Sequence, residues 1–139
     1  MHIGARVLMF YSFLLLFAVL FVFWITPSFA QSTSFRNAPA SASAATNPYA
    51  GDAAASAAGK KLFAQDCAQC HGNRLQGMGP APALDTAAVH NAKPGELYWF
   101  ISTGKLESGM PSWSNLPKQQ RWQIVTFLQS QANQKAAAK

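Results

Sequence analysis

Cys67-Ala68-Gln69-Cys70-His71 is the stretch on which the reading of this chain turns. Two cysteines three positions apart, followed at once by histidine, form the attachment signal of a c-type haem. The spacing has a physical basis. One helical turn brings both sulfurs to where they can form thioethers with the two vinyl groups of one porphyrin. The histidine then projects under the ring, where its imidazole can ligate the iron from the proximal side. Two plainer readings compete. A thioredoxin-like redox pair needs a βαβ setting, which the flanking sequence lacks. Half of a zinc site needs a second pair of cysteine or histidine ligands. The chain has no further cysteine, and downstream of residue 71 only His90 remains as a histidine. Haem c, covalent through Cys67 and Cys70 with His71 on the iron, is the favoured reading.

The other axial position has three candidates: Met78, Met110 and His90. Met78 lies seven residues past His71 in Gly77-Met78-Gly79-Pro80, too close to reach the opposite face comfortably. Met110 lies 39 residues on, in Gly109-Met110-Pro111-Ser112-Trp113, with a helix and a loop between it and His71. Pro111 fixes φ and lacks an N–H, which suits an extended ligand loop. A lone methionine is ordinarily a gap-filler in a core. With a haem present and Gly and Pro flanking it, Met110 is the preferred ligand. His90 reads as a solvated loop histidine.

Working outward, the first thirty residues are of another kind. Val7 to Ile25 is apolar except for Tyr11 and Ser12, and Arg6 precedes it. Ser28-Phe29-Ala30 follows as a small-x-small cleavage pattern, so residues 1–30 read as a secretory signal peptide. The apolar run is also close to the length that spans a bilayer, which keeps a retained anchor over residues 7–25 as the alternative. In both cases Arg6 stays on the cytoplasmic side and everything after residue 30 is exported, to the periplasm. Residues 31–51, rich in Ala, Ser, Asn and Pro, carry few large side chains beyond Phe35 and Tyr49, and read as a flexible linker.

The remaining residues, 52–139, suffice for one small domain. The whole chain has 139 residues and is 50% hydrophobic, yet only 12% charged. Much of that apolar character sits in the first thirty residues, so the domain's own core is thin and calls for a staple such as a cofactor. A βαβ dinucleotide fold or a barrel does not fit. The net charge of +6 is mild, with no arginine-rich stripe or basic–aromatic interleaving, so nucleic acid is not an expected partner.

At four points in order the chain resembles the class I cytochromes c. Gly59-Lys60-Lys61-Leu62-Phe63-Ala64-Gln65-Asp66 running into Cys67-Ala68-Gln69-Cys70-His71-Gly72 is similar to their N-terminal helix and haem motif. Pro82-Ala83-Leu84 resembles their proline loop, Gly109-Met110-Pro111-Ser112-Trp113 their distal-methionine loop, and Arg121-Trp122-Gln123-Ile124-Val125-Thr126-Phe127-Leu128 their C-terminal helix. The likeness covers nearly all of residues 53–131. It implies an all-α, small cytochrome c fold of three to five helices around one covalently bound haem. It also implies that the first and last helices cross, with Gly59 allowing close approach under Phe127. The carbonyl of Pro82, with Pro80 as the competing register, is expected to accept the second imidazole N–H of His71.

Helix signals agree with that outline. Asp52 is a good N-cap for a helix running into the haem motif. Pro94 to Gly104 reads as a short helix with Pro in its first turn, Glu96 near its positive end and Gly104 as its stop. Leu97, Phe100 and Ile101 form its inner face, with Tyr98 and Trp99 at the margins. Pro117 suits the first turn of the last helix, where Ile124, Phe127 and Leu128 make one apolar stripe with Trp122 nearby.

Two protein ligands would leave no open site on the iron, and outside the haem motif no nucleophile–base pair or phosphate loop is visible. The expected function is single-electron transfer between redox-partner proteins rather than catalysis. A subunit of an exported dehydrogenase or oxidase complex is the near variant. A ligand-binding haem sensor or peroxidase-like protein, with Met110 detaching, is the distant one. Lys60, Lys61, Lys105 and Lys118 are candidates for a docking rim, against the plainer reading of solvated surface charges.

Overall fold

A computed structural model of the chain describes residues 37–137, with side chains as far as Gln131. The apolar stretch 7–25 and the cleavage pattern at Ala30 lie outside the described residues. Among the described residues six α-helices follow one another: α1 (Ala40–Ser43), α2 (Ala53–Asp66), α3 (Ala68–His71), α4 (Ala87–His90), α5 (Pro94–Thr103) and α6 (Lys118–Ala137). A 3₁₀ turn covers Leu106–Ser108. Among the described residues there is no strand, only isolated bridges at Met78–Ala81 and Lys105–Met110. The all-α expectation therefore holds. The single turns α1 and α4 lie in segments whose composition gave no helix signal. No helix among the described residues is long and apolar enough to cross a membrane.

Helix α2 starts where Asp52 accepts the N–H groups of Ala54 and Ala55 at 2.8 and 3.0 Å, satisfying two otherwise orphaned donors. It buries Ala55, Gly59 and Phe63, one residue per turn, against α6. The α2–α6 crossing is the most extensive helix packing among the described residues. The close approach at Gly59 is to the backbone of α6 rather than to Phe127. A Cβ there would stand 1.9 Å from the carbonyl oxygen of Gln123. Phe127 instead meets Phe63 one turn further on, ring centroids 5.5 Å apart and planes tilted by 50°.

Helix α6 buries more than the expected stripe. Ile124, Val125, Thr126, Phe127 and Leu128 are consecutive and all buried, so the helix is covered all round at this level. α2 covers one side. Part of the rest is covered by residues 37–51, which composition had marked as flexible linker. They are docked on the domain instead. Asn47 is buried and donates from Nδ2 to Thr126 Oγ1 at 2.9 Å, while Thr126 Oγ1 lies 3.3 Å from the carbonyl of Tyr49. Ser43 donates to Glu96 Oε1 at 3.0 Å, and Gly95 lies so close to α1 that a Cβ would stand 1.8 Å from the carbonyl of Ala42. Small side chains and a few polar anchors hold this strap, so its lack of large apolar residues was no bar to order. Residues 37–51 thus form a strap over α5 and α6.

Helix α5 ends at Gly104, whose φ of +67° and N–H bond to the carbonyl of Phe100 at 2.8 Å terminate it as expected. Its inner face buries Leu97 and Ile101. Tyr98 is more than marginal: it stacks on Trp122 of α6, centroids 4.1 Å apart. The polypeptide then doubles back through the 3₁₀ turn to Met110.

Candidate haem site

The site is assembled where α2 gives way to α3. Cys67 ends one helix and begins the next, its own N–H bonded to the carbonyl of Phe63 and its carbonyl receiving the N–H groups of Cys70 and His71. The break turns Ala68–His71 into a separate helical turn. Cys67 is half-buried, Cys70 is exposed, and both thiols are free. Burial pushes the Cys67 thiol up to about 12, with the negative charges of Asp66 and Cys70 acting in the same direction. A redox-active thiol pair needs a thiolate stabilised near neutral pH, so this environment is the wrong one for thioredoxin-like chemistry.

His71 is fixed by its partner. Its Nδ1 lies 2.9 Å from the carbonyl oxygen of Pro82. A carbonyl can only accept, so Nδ1 carries the hydrogen and Nε2 keeps its lone pair for a metal. The bond goes to Pro82 rather than to Pro80. The intervening loop is shaped for it. Gly77 donates to the carbonyl of His71 at 2.8 Å, and Met78 and Ala81 exchange both backbone bonds across a tight turn. Buried Leu75 takes a φ of +61°, a conformation that costs a non-glycine residue about 1–2 kcal/mol, and its carbonyl accepts the N–H groups of Leu84 and Asp85.

The three candidates for the distal position fall in different settings. Met78 sits in the tight turn that leads into Pro82 and is 53% exposed. His90 is no solvated loop residue. It closes α4, largely buried, with Nε2 3.1 Å from Asp85 Oδ1. Met110 is half-buried and held by its backbone, giving its carbonyl to Lys105 N–H at 2.8 Å and its N–H to Lys105 O at 3.1 Å. Gly104 makes room for the next residue, since a Cβ there would stand 2.4 Å from the carbonyl oxygen of Pro111. The expected docking lysines are dispersed over different elements, with Lys60 and Lys61 exposed on α2, Lys105 before the methionine loop and Lys118 opening α6.

These residues fit haem c. Two free thiols sit on one helical turn, the imidazole has its non-ligating nitrogen pinned, and a thioether sits on a braced loop. Apolar side chains around the core, among them Leu84, Tyr98, Trp113 and Leu116, remain only half-buried in the polypeptide alone. Among the described residues, no cluster of three or more His, Cys, Asp or Glu is arranged to hold a metal by itself.

Several functional candidates were not visible from pattern. Ser102, Ser112 and Arg121 form a polar network beside the methionine loop.

Fold and site together define a class I c-type cytochrome, a protein carrying covalently bound haem c. Residues 54–128 match the family described as cytochrome c oxidase, cbb3-type, subunit III, and the chain belongs to that family. Cytochrome c55X of Pseudomonas aeruginosa is 37% identical over 57 residues, covering 41% of this chain and 47% of that protein. The chain therefore matches about half the length of that relative. The crystal structure of cytochrome CL from the marine methylotroph Methylophaga aminisulfidivorans is similar, with a TM-score of 0.53 and 32% identity. That match covers 61% of this chain and 58% of the other.

Proposed function

We propose that the chain is an exported electron carrier, its haem c attached through Cys67 and Cys70 and ligated by His71 and Met110. Haem c, when bound, supplies a one-electron Fe(II)/Fe(III) couple, whose potential a thioether ligand raises. The observation that carries the reading is the hydrogen bond from His71 Nδ1 to Pro82 O, which leaves the lone pair of the other nitrogen available to an iron. Met110 is favoured over Met78 because Met78 shares its turn with Pro82, the partner that faces His71. Engagement with Asp85 argues against His90. Apolar residues such as Leu97 and Ile101 keep the pocket dry, which disfavours the more highly charged ferric state. With both axial positions taken by protein, no coordination site is left for a substrate. The chain's own task is to hold two ligands still while one electron passes to or from partner proteins.

Export to the periplasm rests on residues 1–30, by cleavage near Ala30 or by anchoring through residues 7–25. A second reading follows from the family's description: the chain works as the electron-transfer subunit of an oxidase or dehydrogenase complex. Co-purification with a large partner would separate that reading from a free carrier.

The testing experiment is an optical spectrum of the exported protein, oxidised, reduced and then under carbon monoxide. The carrier reading expects a low-spin reduced spectrum, a ferric near-infrared sulfur-to-iron band and no shift with carbon monoxide. A high-spin spectrum that shifts would mean an open distal site and a ligand-binding haem protein instead.

A further inference from the structure

The first turn of α6 buries a cation. Arg121 is 8% exposed, and among the described residues no carboxylate pairs with it. Its guanidinium is divided among three neighbours. Nε donates to the carbonyl of Leu116 at 3.1 Å, Nη1 donates to Ser102 Oγ, and Cζ lies 4.7 Å from the centroid of the Tyr98 ring. Ser102 extends the network, donating from Oγ to the carbonyl of Tyr98 at 2.7 Å and accepting Ser112 Oγ on its own carbonyl at 2.6 Å. One residue back, the carbonyl of Ile101 accepts the N–H of Trp113 at 3.1 Å.

These bonds grip residues 112–116 from two helices. α5 holds the start of the segment through Ser102 and Ile101, and α6 holds its end through Arg121. Met110 lies two residues upstream, its backbone clasped to Lys105 on the other side. Desolvating a guanidinium is costly, and a side chain that merely filled space here would be apolar. Arginine's planar fork reaches a carbonyl and a hydroxyl at once, which a lysine ammonium does not reproduce.

We propose that Arg121 is the positioning residue of the methionine loop. By tying Leu116 to Ser102, and through Ser102 to Ser112, it keeps Met110 within reach of the iron. This rests on the reading of Met110 as the distal ligand. Weakening the tie raises the fraction of molecules in which the thioether has left, and an external ligand then binds more tightly in proportion.

The test uses the full haem-loaded chain, with imidazole as the competing ligand and the ferric sulfur-to-iron band as the readout. R121Q is expected to bind imidazole about tenfold more tightly, the scale of one lost charged hydrogen bond. R121K is expected to fall between R121Q and wild type. S112A cuts the same tie at an exposed residue, so it keeps the test open should R121Q not fold, and it shifts in the same direction. T126A lies on the same helix but bonds to Asn47, and should lower thermal stability with imidazole affinity unchanged. Wild-type affinity and a full band in both R121K and S112A would overturn the proposal alone. Absence of the band from the wild-type protein would overturn it together with the ligand assignment.

Discussion

His71 and Pro82, eleven residues apart, are joined by a hydrogen bond of 2.9 Å from imidazole Nδ1 to a backbone carbonyl oxygen. The acceptor is part of the main chain, so no side-chain substitution removes it directly. What holds it in place is the path of residues 72–84, and the glycine of that path packed most closely against other backbone is Gly77. Its φ is +77°, and a Cβ would stand 2.6 Å from Ala83 N and 2.8 Å from the carbonyl carbon of Pro82. The orientation of His71 therefore depends on a residue without a side chain.

Gly77→Ala is expected to push Pro82 away from His71 and weaken the bond. A proximal imidazole that loses this partner becomes a poorer donor, which favours ferrous iron. The midpoint potential should rise by tens of millivolts, the equivalent of roughly 1 kcal/mol in a one-electron couple. Redox titration of the variant against wild type checks it, and an unchanged or lower potential would contradict the coupling.

Gly59→Ala sets two effects against each other. Replacing a mid-helix glycine gains about 1 kcal/mol of helix propensity. The new methyl, however, would lie 1.9 Å from Gln123 O and 2.5 Å from its carbonyl carbon, both backbone atoms that cannot swing aside. α2 and α6 must separate, which also loosens the Phe63–Phe127 contact. Overpacking of this kind costs roughly 1–3 kcal/mol. The net expectation is destabilisation, read as a lower denaturant midpoint of the haem-loaded protein.

Much of this was legible because each signal was local. The cysteine–histidine spacing is read within five residues; Asp52 as a cap and Gly104 as a stop are equally local, and the structure places those two as the sequence reads. What stayed hidden depends on partners far along the chain. Thr126 lies off the apolar stripe of α6, and is buried where Asn47 and Tyr49 of the strap meet it. Asn47 carries no burial signal of its own; it is buried because Thr126 stands opposite. Arg121 reads as a surface charge on an amphipathic helix until Leu116, Ser102 and Tyr98 converge on it. Leu75 gives no hint of a positive φ, which the loop imposes by drawing two N–H groups onto its carbonyl.

The strap gives a stability prediction. Asn47 donates to Thr126 and accepts the N–H of Tyr49 at 2.9 Å. Asn47→Ala removes both bonds at a buried position, at a cost of roughly 1–3 kcal/mol. The melting temperature should fall by several degrees, and deleting residues 37–51 alone, with residues 1–36 kept, should lower it at least as far. The haem spectrum should be unaffected in both. A flexible tether would instead leave the melting temperature of the truncated protein where it was.

The two methionines make opposite predictions. Met78 is 53% exposed at the tip of the turn that feeds Pro82, so Met78→Leu should leave both the ferric sulfur-to-iron band and the potential close to wild type. Met110→Ala should abolish the band, open the distal position to carbon monoxide, and lower the potential by on the order of 0.1 V or more, because axial ligand identity is the strongest lever on haem potential. Stability should also fall, since the braced loop loses the bond that it carries to the iron. If Met78→Leu abolished the band while Met110→Ala kept it, the ligand would have to come from the proline turn. The brace around residues 112–116 would then have a purely structural role.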